Sequence, residues 1–355
     1  MSTATPTDQP PVRDVVPAHW FDPAPLEAWL SAAVEGFGDN MRVQQFQGGA
    51  SNPTFLLTTD GPDGPLLYVL RKKPPGTLLA SAHQVDREYR VMKAIEGQVP
   101  VPRMRALCED EAVIGTSFYV MDYLPGRIFR DAALPGLTPA ERAAVYDELN
   151  ATLAKLHKVD FVAAGLESFG RAGGYFERQI ARWTRQYRGA EDVLIPEMEA
   201  LIAELPGRVP AEDLISIAHG DYRLENVMFH PTEPKLIAVL DWELSTIGHP
   251  LADLAYNAFL WRSTSLTWGS LVGVDFAASG IPTEADYVAT YLERAGRGPV
   301  ADWPFYMAFS IFRLASISQG VYRRQQAGNA ATEGAAINGT PVLAAQALAI
   351  LRGTD

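Results

Sequence analysis

The sequence predicts an α+β fold, with a sheet-rich N-terminal lobe and a larger helical lobe after it. Two observations carry this. As far as Tyr123 the apolar residues fall in short strand-like runs separated by glycine-containing turns. Beyond Leu124-Pro125-Gly126 they recur at helical spacing through long segments. That tripeptide is a turn signal and sets the boundary, with residues 22–124 as the N-lobe and 125–355 as the helical lobe. Residues 1–21, polar and proline-bearing at their start, are expected to form a flexible arm.

Asp22-Pro23 opens a first helix whose apolar residues Leu26, Trp29, Leu30 and Ala33 share a face. Strands are expected around Met41–Phe46, Thr54–Thr59 and Leu66–Arg71. A helix follows over Ser81–Ile95, with Val85, Tyr89, Met92 and Ile95 on one side, and then a strand over Ser117–Tyr123. In the helical lobe, Thr138-Pro139-Ala140-Glu141 offers an N-cap, a first-turn proline and a capping-box glutamate. Val145, Leu149, Leu153 and Leu156 continue that helix's buried face. Further helices are expected over Gly174–Arg188, Pro196–Leu205, Pro282–Ala295 and Pro304–Arg324, with a last one from near Pro341. The small, polar stretch Ala327–Thr340 is expected to be a loop.

Composition narrows the class. At 355 residues the chain is long enough for two lobes, each with a core, and 47% hydrophobic with 20% charged residues is ordinary for a globular protein. A net charge of −12 argues against nucleic-acid and anionic-membrane partners, because phosphate binding rests on basic surface. The single cysteine, Cys108, excludes an internal disulfide framework and reads as a small buried residue. No apolar run reaches bilayer length, and the N-terminus lacks a signal-peptide pattern, so a cytoplasmic location is expected.

The chemistry concentrates in His219-Gly220-Asp221, with Asn226 five positions after the aspartate, and in the apolar run Leu236–Leu240 that ends in Asp241-Trp242-Glu243. Phosphoryl transfer from a magnesium nucleotide needs one carboxylate near the acceptor hydroxyl and hard oxygen donors for Mg²⁺. The spacing matches the kinase catalytic loop H-x-D-x4-N followed by a metal-binding aspartate. Asp221 is therefore read as the catalytic base, against the alternative of a cap or turn aspartate. Asn226 and Asp241 are read as the metal ligands, and Glu243 as an indirect ligand or a surface salt bridge. Arg223 is placed to offset charge on the transferring phosphate, and His219 to pack the loop.

Together with Gly48-Gly49-Ala50-Ser51-Asn52, Tyr68–Gly76, Asp86-Arg87-Glu88-Tyr89-Arg90 and Pro250–Ala255, these residues resemble the aminoglycoside-phosphotransferase-like small-molecule kinases. The resemblance is nearest to the branch fused to acyl-CoA dehydrogenases in animals, and it extends from about Val43 to Arg324. It implies a bilobal, protein-kinase-like fold that uses ATP or GTP with Mg²⁺. It also implies that Gly48, Gly49, Ser51 and Asn52 approach the phosphates, that Met121, Asp122 and Leu124 form the hinge beside the base, and that Asp253 braces the catalytic loop. The phosphate-pairing lysine of the family falls on Arg71, paired with Glu88. Lys73, on the same side of the strand, is the rival and Lys72 faces the other way.

Only Leu244 to Pro250 separates Glu243 from the helix of Asp253, too short for the peptide-binding activation segment of protein kinases. A small hydroxylated acceptor is therefore expected. Arg178, Arg182 and Arg185 share a helix face, and Arg313 lies in the apolar run Phe309–Ile317. A solvated face for the trio and an acid partner for Arg313 are the plain readings. If Arg313, Arg178 and Arg182 instead line the acceptor site, the acceptor is anionic, a hydroxy acid or a hydroxyacyl-CoA as the resemblance implies. An aminoglycoside-type antibiotic kinase and a non-catalytic pseudokinase remain the alternatives.

Overall fold

A computed structural model describes residues 11–47, 52–74, 84–264, 269–327 and 338–354. In chain order the elements are β1 (Val12–Arg13), α1 (Pro23–Ala33), β2 (Asp39–Phe46), β3 (Thr54–Gly61), β4 (Gly64–Lys72), α2 (Val85–Ile95), β5 (Met104–Cys108) and β6 (Phe118–Asp122). Next come α3 (Pro139–His157), α4 (Tyr175–Ala190), α5 (Pro196–Glu204), β7 (Ser216–Ala218), β8 (Val227–Phe229), β9 (Leu236–Val239) and β10 (Thr246–Gly248). The chain ends with α6 (Pro250–Ala258), α7 (Phe276–Ser279), α8 (Glu284–Ala295), α9 (Trp303–Gln326) and α10 (Thr340–Arg352). These elements form two compact units. The first holds the described residues up to Phe129 with Ala164–Phe169 and Leu224–Ser245, and the second holds Arg130–Ala163, Gly170–Arg223 and the described residues from Thr246.

The first unit is built on a six-stranded antiparallel sheet of order β1-β2-β3-β4-β6-β5. Alternation along the strands gives it two chemically different faces. Phe55, Leu57, Tyr68, Leu70, Phe118 and Val120 point into one core with Leu26 and Leu30 of α1. Trp29 meets Phe118 edge-on, with ring centroids 5.3 Å apart. Cys108 lies buried in this core. Helix α2, with Val85, Val91, Met92 and Ile95 buried, packs on β5 and β6. A separate ribbon pairs β8 with β9. Val12–Arg13, within the stretch expected as an arm, pairs with Phe46 and Gln45, and Phe21 is buried against Phe55.

The second unit is helical around a short antiparallel ribbon, in which Ile217 of β7 faces Ile247 of β10. Thr138 and Glu141 cap α3 reciprocally, and Val145, Leu149, Leu153 and Leu156 are buried along it. All of α6 is buried, from Pro250 to Ala258, and α9 packs against α4, α6 and α10. Two expected helix starts are displaced for local reasons. Gly174 has a left-handed φ of 56°, so α4 begins at Tyr175. Thr283 caps α8 by accepting from the Asp286 amide, which leaves Pro282 outside the helix. The described part of Ser81–Ile95 is helical from Val85, and most of Ala327–Thr340 lies outside the described residues.

Leu70 sits in the sheet core with no exposed surface, one residue before Arg71 on the opposite face. Leu70→Ala is expected to lower the unfolding free energy by about 2–5 kcal/mol, through lost burial and the cavity left behind. Urea unfolding of the two proteins measures it.

Candidate active site

Arg71 of β4 lies opposite Thr54 of β3 and Tyr119 of β6. Its guanidinium meets three carboxylates: Glu88 at 3.3 Å, Asp241 at 2.8 Å and Glu243 at 3.8 Å. Glu88 is fully buried, and Asn52 Nδ2 and the Tyr119 hydroxyl donate to it at 2.8 and 3.1 Å. Burial pushes the Glu88 carboxyl up to about 7 although Arg71 opposes the shift, and the charges of Asp241 and Glu243 push the same way as burial. Burial alone would lower the Arg71 pKa, but Glu88, Tyr119 and Asp241 hold it above its ordinary value. The guanidinium is thus fixed as a cation. Lys72 points to the other face, 5.2 Å from the Phe21 ring centroid, and burial lowers its pKa. Lys73 extends the β4–β6 ladder through its amide, which donates to Ser117 O at 3.3 Å.

The β8–β9 ribbon explains how two oxygen donors converge. Val227 pairs with Val239, and the Leu240 amide donates to Asn226 O at 2.8 Å. Asn226 and Asp241 therefore lie at the same end of the ribbon. Asp241 adopts a left-handed φ of 62°, a strained conformation for a non-glycine residue, before the turn Trp242–Leu244. An amide oxygen and a carboxylate at one ribbon end fit a hard cation such as Mg²⁺ that shares its remaining positions with phosphate and water.

Other expected nucleotide contacts have mixed placement. Met121 pairs with Val69. The Asp122 carboxylate binds Arg105 through both oxygens, at 2.5 and 3.0 Å, and its amide donates to Arg103 O at 2.9 Å. Leu124 follows β6 in the segment leading to Arg127, whose backbone pairs with Phe229. Gly48, Gly49 and Ser51 lie outside the described residues.

In the second unit, the loop after β7 carries His219, Gly220 and Asp221. Asp253 of α6, itself buried, accepts from the His219 amide at 2.5 Å and the Gly220 amide at 2.9 Å. Burial raises the Asp253 pKa, but His157, His219 and the Gly220 N–H outweigh it and hold the carboxyl below its usual range. Gly220 has a φ of 84°, which suits glycine, and the Asp221 amide donates to His219 Nδ1 at 3.2 Å. Asp221 Oδ1 accepts from the Tyr256 hydroxyl and lies 3.6 Å from Arg223 Nε. Tyr256 stays a protonated donor because burial and the Asp221 charge raise its pKa well above the ordinary value.

Arg313 is buried and donates to Gly220 O, with its guanidinium carbon 5.4 Å from the Trp183 ring centroid and 5.3 Å from that of Tyr256. A backbone carbonyl and two aromatic faces stand where an acid partner was the plain expectation. Arg178 turns to Gly173 O and Arg171 O, the latter at 2.7 Å, and so caps the entry to α4. Arg182 is exposed beside Trp183, 5.2 Å from its ring centroid, and Arg185 is exposed.

Sequence reasoning passed over Tyr256, Trp183, Tyr119 and His157. Tyr256 follows Asp253 by three positions on one helix, so the two share a face. That spacing was a usable signal, whereas the approach of Trp183 to Arg313 is a packing contact between α4 and α9 that no sequence pattern announces.

The mixed fold, with an N-terminal antiparallel sheet and a helical C-terminal part, is that of the kinase-like phosphotransferases. The chain matches the phosphotransferase enzyme family over residues 42–309 and belongs to it. A Ralstonia eutropha structure solved as a candidate aminoglycoside phosphotransferase is 47% identical, covers 94% of this chain and 99% of its own, and superposes with a TM-score of 0.86. A choline kinase from Cryptosporidium parvum shares the fold at 14% identity, covering 93% of this chain and 95% of its own with a TM-score of 0.59. Mouse acyl-CoA dehydrogenase family member 10 is 47% identical over 82% of this chain, which spans 27% of that protein. Human acyl-CoA dehydrogenase family member 11 is 44% identical over 92% of this chain, which spans 42% of it. The chain thus spans less than half the length of these curated relatives. No helix among the described residues is long and apolar enough to cross a membrane.

Helix α6, which presents Asp253 and Tyr256, is capped at its N-terminus by His249. This buried ring stacks on Tyr306 with centroids 5.4 Å apart, and its Nδ1 accepts from the Leu251 amide at 3.3 Å. Burial lowers its pKa to about 4 from an ordinary 6.5, against the Glu212 carbonyl and Asp213 and together with Arg297 and His157. The unfolded chain binds the extra proton between those values. Stability from a neutral His249 is therefore complete above about pH 6.5 and is lost as pH falls toward 4, by up to about 3 kcal/mol. His249→Gln should flatten the stability–pH slope in that window, as followed by thermal unfolding. An unchanged slope would contradict it.

Proposed function

We propose that the protein is a Mg²⁺-dependent phosphotransferase that moves the γ-phosphoryl group of ATP, or of GTP, to a hydroxyl of a small molecule. The observation that carries this reading is the Asp221 carboxylate, held by the Tyr256 hydroxyl on a loop that Asp253 fixes through two amides. A carboxylate with a set rotamer can orient an acceptor hydroxyl and take its proton. The acceptor oxygen then forms a bond to phosphorus, the bond from phosphorus to the bridging oxygen breaks, and the nucleoside diphosphate leaves with that electron pair.

Asn226 and Asp241 are the residues that would hold Mg²⁺, which when bound screens the phosphate charges. Arg71, fixed as a cation by Glu88, serves the nucleotide phosphates in place of a lysine and otherwise balances Asp241. Arg223 offsets charge on the phosphoryl group in transit. The glycine-rich sequence with Gly48, Gly49, Ser51 and Asn52, and the segment with Met121, Asp122 and Leu124, serve the nucleotide on this reading. The acceptor is anionic, a hydroxy acid or a hydroxyacyl-CoA. The relatives named as acyl-CoA dehydrogenases support an acyl-type acceptor, since this chain matches part of each. The reaction belongs to the cytoplasm and needs neither a nucleic acid nor a membrane.

Asp221→Asn keeps the shape of the side chain and removes the base. Its kcat is expected to fall at least about a hundredfold, with nucleotide affinity close to wild type. Single-turnover transfer and equilibrium nucleotide binding measure the two quantities. Full activity in the variant would mean that Asp221 is not the base.

A further inference from the structure

In the second unit, two arginines that share one aromatic neighbour have no acid to balance them among the described residues. Arg313 is only 7% exposed, and among the described residues no carboxylate lies within ion-pair distance of it. Arg182 also has no acid partner among the described residues, and both guanidinium groups approach the same Trp183 ring, at 5.2 and 5.4 Å. One carbonyl and two ring faces soften the charge of Arg313 but do not neutralise it, and a second arginine nearby raises the cost of burying it. The acids in the neighbourhood are engaged elsewhere. Asp221 accepts from Tyr256 and faces Arg223, and Asp253 accepts two amides and meets His157 at 3.4 Å.

Two buried donors in this cluster, Arg313 Nε and the Trp183 indole N–H, have no hydrogen-bond partner among the described residues. Trp183 itself is only 5% exposed. Unsatisfied buried donors beside uncompensated cations call for oxygen atoms carrying negative charge. Arg178 does not belong to the cluster's binding face, because its guanidinium is taken up by Gly173 O and Arg171 O.

We propose that Arg182, Arg313 and the indole N–H of Trp183 form an oxyanion subsite that selects the acceptor. The proposal rests on the phosphotransferase reading, since it assigns the subsite to the acceptor. Its place relative to the base follows from Tyr256, whose ring face lies against Arg313 and whose hydroxyl holds Asp221. One tyrosine side chain links the cation to the base. The reacting hydroxyl and the oxyanion of the acceptor are thus separated by a short spacer, and neutral alcohols lose the contact.

The test measures equilibrium binding and phosphoryl transfer for 2-, 3- and 4-hydroxybutyrate, their coenzyme A thioesters and the matching neutral butanediols. Wild type, Arg182→Ala and Arg313→Lys are compared, with thermal unfolding to check that each variant folds. Arg182 is exposed, so its replacement leaves the core intact. The expected result is that wild type prefers an anionic acceptor and that both variants weaken it about tenfold or more beyond any loss for the matching butanediols, with nucleotide binding retained. Dependence confined to the free acids assigns the oxyanion to a carboxylate, and dependence confined to the thioesters assigns it to coenzyme A phosphate. Either supports the subsite. No preference for anions in wild type, or equal losses for neutral and anionic acceptors, would overturn it. Asp221→Asn separates the two claims. Transfer lost in Asp221→Asn with no anion dependence in the arginine variants leaves the kinase reading and removes the subsite. Anion binding lost in the arginine variants with no phosphoryl transfer by wild type keeps the subsite and removes the kinase reading, whereas transfer kept in Asp221→Asn removes only the base assignment.

Discussion

The Asp253 carboxylate, buried on α6 and bonded to the amides of His219 and Gly220, is the constraint on which the catalytic loop depends. A charge buried this deeply is tolerable only when donors surround it, and two backbone amides with His157 supply them. The two hydrogen bonds fix the peptide planes around Gly220, whose positive φ turns the chain so that Asp221 follows at a set position. Tyr256, one turn along the same helix, then holds the Asp221 side chain. One short helix therefore positions both the backbone and the carboxylate of the proposed base. Its complete burial gives it little freedom to shift.

In the first unit the governing interaction is the meeting of Arg71 with Glu88, Asp241 and Glu243. Three acids around one half-buried cation leave an excess of negative charge, which burial of Glu88 resolves in part by pushing its carboxyl up to about 7. A divalent cation at Asp241 and Asn226 would relieve the same excess. The arginine is the counter-charge of Asp241, and the phosphate contact proposed for it would draw on the same cation.

Much of this was legible in the sequence because it rests on local rules. The alternation that puts Arg71 opposite in direction to Lys72 is a property of any strand, and the structure sends one to Glu88 and the other to the Phe21 and Phe55 rings. The capping box at Thr138 and Glu141 is equally local. The oxygen donors Asn226 and Asp241 could be picked out by spacing, but only the register of β8 and β9 brings them to one end of a ribbon. What remained hidden depends on tertiary packing. Strands β5, β7 and β10 are three to five residues long and are recognisable only with their partners in place. The carbonyl and ring contacts of Arg313, and the hydroxyl of Tyr256 on Asp221, arise where α4, α6 and α9 meet.

The central claim, that this chain transfers phosphate to a small hydroxylated molecule, is tested most directly by phosphorus NMR. Protein, MgATP or MgGTP and a panel of hydroxy acids, hydroxyacyl-CoA thioesters, sugars, choline-like alcohols and aminoglycosides would be incubated together. The expected result is a new phosphate monoester resonance with an anionic hydroxylated acceptor, growing in step with the nucleoside diphosphate and absent without Mg²⁺. Nucleotide that binds in the presence of Mg²⁺ but yields no monoester with any acceptor would contradict it and mark the chain as a nucleotide-binding module without transfer activity.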